Sequence, residues 1–154
     1  MAAIASRRKG RILAFQALYW WESNRVSSDE LIAFSWLESE KLAELDEGIA
    51  AFSRLLIVGT IENIQPIDEM IKNHLQNWDI SRLNRVDLAI LRMSVYTLMY
   101  QTEIAPSIVI DEAIGISKEF GTDDSYRFIN GVLDSIHHAI LPPTEKGAVL
   151  AKHA

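Results

Sequence analysis

The chain has 154 residues, the usual size of one domain, and its 49% hydrophobic and 23% charged contents are those of an ordinary soluble globular protein. It has no cysteine, which excludes a disulfide framework, a zinc–thiolate site and a cysteine nucleophile, and fits a reducing cytosol. A net charge of −6 would argue against nucleic acid, but in residues 1–25 Arg7, Arg8, Lys9, Arg11 and Arg25 stand against Glu22 alone, a head of +4 on a body of −10. Two readings stand for that head: one localised anion-binding face, or a solvated N-terminus.

Helical periodicity dominates in chain order, and no alternating strand pattern appears. The first helix is expected after Ser6 as N-cap and runs to about Ser23. Ser6-Arg7-Arg8 before the apolar Ile12–Trp21 stretch superficially resembles a twin-arginine export signal. Gln16 interrupts that stretch, Glu22 stops it, and no small-residue cleavage site follows, so export is rejected. Nowhere do about 18 apolar residues run together, so no membrane-spanning helix is expected. Asn24 to Ser28 is polar and turn-like, and Ser28 is expected to cap a second, short helix that reaches about Leu37. A third begins near Lys41 and carries Leu45, Ile49, Phe52, Leu55, Leu56 and Gly59 at spacings of three and four, until Pro66 interrupts or ends it. Ile67 to Leu75 forms a fourth, closed by the Asn77-Trp78-Asp79 loop.

Asn84-Arg85-Val86-Asp87 is a capping-box variant, with aspartate in place of glutamate. The helix behind it, through Leu88 to Tyr100, is apolar almost all round and is therefore expected at the centre of the fold. Pro106 opens a helix that ends at Phe120, with Gly121 as its left-handed C-cap. Thr122 to Asp124 start a last helix, ending near Ile140 before Pro142-Pro143, and residues 144–154 form a loose tail.

The chain offers little for catalysis. Asp111-Glu112 and Asp123-Asp124 are sequence neighbours, so on a helix each pair diverges by about 100°. They read as helix-terminal charges. His137-His138 lack the one-face spacing of metal ligands, and His74 stands alone. No glycine-rich phosphate loop, nucleophile elbow or zinc motif is present, so no enzyme activity, cofactor or metal is expected. The first helix is more informative. Arg7, Arg8 and Arg11 fall within an arc of about 100°, and Arg8, Phe15 and Tyr19 follow nearly one line. Cations for the backbone and rings for the bases are what single-stranded RNA needs, although rings at helical spacing also serve as core.

Four blocks resemble the NusB family, in family order and at matching separations between residues 7 and 134. The first is Arg7-Arg8-Lys9-Gly10-Arg11 followed by Gln16-Ala17-Leu18-Tyr19. The second is the core helix Val86-Asp87-Leu88-Ala89-Ile90-Leu91-Arg92-Met93-Ser94-Val95-Tyr96. The third joins Ile108-Val109-Ile110-Asp111-Glu112-Ala113 to Lys118-Glu119-Phe120-Gly121. The fourth is Asp124-Ser125 with Arg127-Phe128-Ile129-Asn130-Gly131-Val132-Leu133-Asp134. Asp111 stands where the family usually has asparagine, Tyr126 where histidine is common, and Arg85 where proline often opens the core helix.

The resemblance implies an all-α fold of about seven helices in two small bundles packed roughly at right angles. It implies a single domain over residues 1–154, with a helical core of about 6–140. It further implies a cytoplasmic transcription antitermination factor. Such a factor binds the boxA element of ribosomal RNA leader transcripts with the ribosomal protein NusE, and joins elongating RNA polymerase to suppress premature termination. Carried over by motif, the RNA contacts are Arg7, Arg8, Arg11, Gln16 and Tyr19, with Asp124, Arg127 and Phe128. Asp87 falls at the NusE face, with helix capping as its competing role. A homodimer of the free protein stays open. Two alternatives stand beside this reading: a NusB-like domain separated from an rRNA cytosine methyltransferase, and a purely protein-binding helical adaptor. The absence of a methyltransferase glycine-rich loop favours the stand-alone factor.

Overall fold

The computed structural model describes residues 2–76 and 79–141, and among these it contains eight α-helices, one 3-10 turn and no strand. The first helix, α1 (Ala2–Asn24), begins before Ser6, which lies exposed within it and is not its cap. Alanines at positions 2, 3 and 5 are the best helix formers, and they carry the helix past the point where a serine could have stopped it.

The short helix α2 (Ser28–Ile32) is capped by Ser27, not Ser28: its Oγ accepts the Glu30 amide at 3.2 Å. It stops well before Leu37. Phe34 takes a left-handed φ of 56°, and its ring is buried in the core at 1% exposure. The carbonyl of Ile32 is satisfied by Arg54 Nε at 3.0 Å, so burial of the ring decides where the helix ends.

The expected third helix is two. Helix α3 (Ser39–Ala43) is a single turn or so, and α4 (Glu47–Glu62) restarts where Asp46 Oδ2 accepts the Ile49 amide at 3.0 Å. Pro66 interrupts that helical run, because it has no amide to offer the carbonyl of Glu62, four residues before it and the last residue of α4. The break falls at Asn63, and Pro66 sits in the first turn of α5 (Ile64–Asn73), where an amide would have no intrahelical partner. Of the Asn77-Trp78-Asp79 loop, residues 77 and 78 lie outside the described residues. Asp79 accepts from the Ser81 amide at 3.3 Å and starts the 3-10 turn Ile80–Arg82.

Asn84 caps α6 (Arg85–Tyr100) by accepting from the Val86 and Asp87 amides at 2.8 and 3.3 Å. The reciprocal half of the expected capping box is not made, because the Asn84 amide does not donate to the Asp87 carboxylate, whose Oδ1 has no hydrogen-bond partner. Helix α6 is central: it touches α1, α4, α5 and the two helices that follow it, Pro106–Phe120 and Ser125–Ile140. Helices α1, α2 and α4 form one packed group, α7 (Pro106–Phe120) and α8 (Ser125–Ile140) another, and the buried apolar residues of both belong to one continuous core. The Pro142-Pro143 stop and the 144–154 tail lie outside the described residues.

Two close approaches set α4. A Cβ on Gly59 would collide with the Tyr96 ring of α6, and one on Gly10 would lie 2.5 Å from Phe52 Cδ1. Gly121 departs from its expected role. Its φ of −92° and ψ of −169° are extended, not left-handed. Glycine is required there for space, since a Cβ would come within 2.7 Å of Ser117 O and of Ser125 Oγ and Cβ. Ser125 Oγ accepts the Thr122 amide at 2.9 Å and so fastens the α7–α8 turn.

Candidate nucleic-acid interface

The three arginines of the α1 head are not equivalent. Arg7 is exposed, with its guanidinium 4.7 Å above the Phe52 ring and no ion-pair partner among the described residues. Arg8 is partly exposed, and its Nε pairs with Glu112 of α7. Arg11 is buried at 8% exposure, with Nη1 3.5 Å from Glu112 Oε1. Burial pushes the Arg11 guanidinium below its usual value, an effect that Glu112 opposes and Arg7 and Arg8 reinforce. Arg7 thus presents a free cation, Arg8 a shared one, and Arg11 a support beneath them.

Glu112 is the residue that sequence reasoning missed. It is no helix-terminal charge: it lies in the middle of α7, 8% exposed, while neighbouring Asp111 is exposed. Gly115, one turn further on, makes room for Arg8, since a Cβ there would sit 2.6 Å from Nη1. Glu112 and Gly115 are three apart on one face of α7, a spacing that in hindsight marks a seat for a long cation. Glu112, the three arginines and Phe52 line a cleft of about 660 Å³ between α1, α4 and α7.

Further along α1 the rings separate. Phe15 is core, 3% exposed, and its ring lies 5.1 Å from that of Phe120 at the end of α7. Tyr19, one turn on, is 40% exposed. Gln16 between them is half-buried. The Phe15–Phe120 contact brings the middle of α1 against the α7–α8 junction. A second contact, Arg85 Nη1 donating to Ser23 Oγ at 3.0 Å, brings the start of α6 to the end of the same helix.

The starts of α6 and α8 enclose a second cleft of about 430 Å³, lined by Asn84, Asp87, Thr122, Asp124, Ser125 and Phe128 among others. Asp124 occupies the position before α8 but makes no side-chain cap, and its carboxylate is exposed. Phe128 is half-buried, and Arg127 is exposed with Nε donating to Tyr126 Oη at 2.9 Å. The sequence-predicted residues therefore fall into an arginine cluster and an aromatic–acidic cleft, with Gln16 and Tyr19 on the helix that joins them.

Asp87 is the unusual member of the cleft. It is 7% exposed, and its Oδ1 is buried without a hydrogen-bond partner. Burial raises its pKa, with a hydrogen bond to Ser125 acting in opposition. A carboxyl whose folded pKa is raised binds more protons in the folded state, so its ionisation costs stability as pH rises from the unfolded value through the folded one. Asp87→Asn should accordingly melt higher than the parent at pH 7, with the gap closing as pH falls below the ordinary aspartate range. Thermal melts at pH 4 and 7 check this, and an asparagine variant that melts lower at neutral pH would contradict it.

Among the described residues no three His, Asp or Glu side chains are grouped to hold a metal ion. No helix of these residues is long and apolar enough to cross a membrane.

Comparison with known proteins bears directly on this geometry. The chain is 54% identical over 130 residues to the transcription antitermination protein NusB of Treponema denticola, covering 84% of this chain and 94% of that one. Its fold matches the solved structure of T. maritima NusB with a TM-score of 0.75 at 34% identity, over 92% of this chain and 96% of that one. It also matches a crystal structure of the antitermination factors NusB and NusE in complex with dsRNA, with a TM-score of 0.74 at 25% identity, over 88% and 98% of the two chains. The model of the NusB family matches residues 8–138, a span that holds nearly all of the arginine head and the whole of the aromatic cleft, and the chain belongs to that family.

Proposed function

We propose that this protein is a non-enzymatic, cytoplasmic, RNA-binding transcription antitermination factor. With NusE it binds boxA RNA of ribosomal RNA leader transcripts, and it acts within the RNA polymerase antitermination complex against premature termination. The helices form one RNA-binding domain. The observation that carries this reading is on α1, which presents an unpaired cation at Arg7 and an open ring at Tyr19 on either side of a buried Phe15. Single-stranded RNA needs both, a cation for phosphate and an exposed aromatic face for a base.

In this reading Arg7, Arg8, Gln16 and Tyr19 contact one stretch of RNA, and Arg127 and Phe128 the next. Arg11 holds Glu112, and through it Arg8, in place. Asp124 offers an exposed acceptor to base amino groups, and buried Asp87 offers one to a donor on RNA or on NusE. The acidic body suits a basic ribosomal protein, whose association complementary charge would speed.

The test is RNA titration of the full chain at several salt concentrations. The logarithm of affinity should fall against the logarithm of salt with a slope of about 0.7 per phosphate neutralised. Arg7→Ala should lower both the affinity and that slope while leaving the melting temperature unchanged, because Arg7 is exposed. A variant that binds boxA RNA as tightly as the parent at moderate salt would remove the head from the interface. Absence of RNA binding by the parent would leave the protein-binding adaptor as the better reading.

A further inference from the structure

Gly131 poses a physical question that the fold does not answer. It lies in the interior of α8, where glycine costs roughly 0.5–1 kcal/mol relative to alanine. Glycines 10, 59, 115 and 121 each have a neighbour that a Cβ would strike. At Gly131 a Cβ would meet no atom of the described residues within 4 Å, and no described glycine has a positive φ. Among the described residues neither packing nor backbone conformation calls for glycine there. What lies in front of the bare backbone is a groove of about 390 Å³ between the end of α5 and the outer face of α8.

We propose that this groove is a second RNA subsite, which takes one nucleotide of the bound strand beyond the Phe128 ring. The inference rests on the RNA-binding reading above and extends it to residues outside the family-derived set. Phe128, Gly131, Val132 and Ser135 are spaced three and four apart and form one face of α8. Phe128 walls both this groove and the Asp87–Asp124 cleft, so a strand that passes over its ring enters one from the other.

The lining matches a nucleotide in kind. Leu75 and Val132 give an apolar floor for a base, and Arg127 a cation for its phosphate. His74 Nδ1 and Ser135 Oγ are 2.7 Å apart, a hydrogen bond that ties α5 to α8 and leaves Nε2 without a protein partner among the described residues. That nitrogen and the Gln76 amide suit a ribose hydroxyl or a base edge. Among the described residues no acidic side chain lines this groove, whereas the neighbouring cleft holds Asp87 and Asp124. Phosphate would therefore be favoured here and opposed there. Glycine at position 131 lets a ribose or base approach the helix backbone where any side chain would fill the space.

The experiment uses the full chain and a ladder of single-stranded boxA RNAs, lengthened one nucleotide at a time from each end of the shortest one that binds. Binding is read by fluorescence anisotropy for the parent, Gly131→Gln and His74→Ala. Glutamine at an exposed helix position with open space should raise the melting temperature slightly, so loss of the fold does not confuse the result. For the parent, addition of the nucleotide that passes Phe128 should tighten binding by roughly fivefold or more, from the low end of the range for one stacked base. Gly131→Gln should bind the shortest RNA like the parent and lose that gain, and His74→Ala should lose part of it. Core binding without any length-dependent gain, a gain that Gly131→Gln retains, or equal weakening on every RNA each overturns the subsite. Failure of the parent to bind the shortest RNA would overturn the RNA-binding reading, and the subsite with it.

Discussion

Arg92→Ala should destabilise the protein by roughly 3 kcal/mol, at the lower end of what breaking a buried ion pair costs. Arg92 is 5% exposed on α6 and holds three elements together. Its Nε and Nη2 each donate to Asp68 of α5 at 2.9 Å, a bidentate pair, and its Nη1 donates to Glu22 of α1 at 2.7 Å. Burial alone would push the guanidinium down, but hydrogen bonds and charge from Asp68 and Glu22 outweigh it and hold it above its usual value. Asp68 and Glu22 are each partly exposed and can regain water once the arginine is gone, which keeps the cost from rising further. For a chain of this size the melting temperature should fall by roughly 10 °C. Arg92→Met, which keeps most of the packing volume, should lose less than Arg92→Ala. Equal melting of Arg92→Ala and the parent would show the triad to be energetically neutral.

The same triad shows where sequence reading reaches and where it stops. That α6 is central was legible, because Asn84 marks its start and its apolar residues run round the whole helix. The role of Arg92 within it was not, since its partners lie 24 and 70 residues earlier in the chain. Glu112 is a similar case. Beside Asp111 it looked like one more helix-terminal charge, and only the packing of α1 against α7 turns it inward to face Arg8 and Arg11. Local errors have local causes. Ser27 and Ser28 can both accept an amide hydrogen bond, and it is Ser27 that holds the extended backbone of a cap while Ser28 is already helical. Phe34 carries no mark of a left-handed residue, and burial of its ring imposes that conformation from outside the segment. Gly121 was read as a left-handed C-cap, but its backbone is extended, and the constraint is the nearness of Ser117 and Ser125 and not the sign of φ.

Phe15 and Tyr19 lay on one line of the helical wheel, and periodicity could not say which was core. Their separation supports the prediction with the widest consequence for function. Phe120 covers Phe15, and the α7 helix ends there, so nothing of α7 reaches the next turn of α1 where Tyr19 stands open. Tyr19→Ala should weaken boxA RNA binding by roughly 1–3 kcal/mol, the loss of one stacked base, and barely move the melting temperature. Phe15→Ala should do the reverse, removing roughly 3–5 kcal/mol of folding stability through the cavity it leaves. At a temperature where that variant is still folded, its RNA affinity should remain near that of the parent. Melting and anisotropy on the same two preparations give four numbers that must cross over. A Tyr19→Ala variant that melts much lower while binding RNA unchanged would make the ring structural, and the aromatic half of the proposed interface would then rest on Phe128 alone.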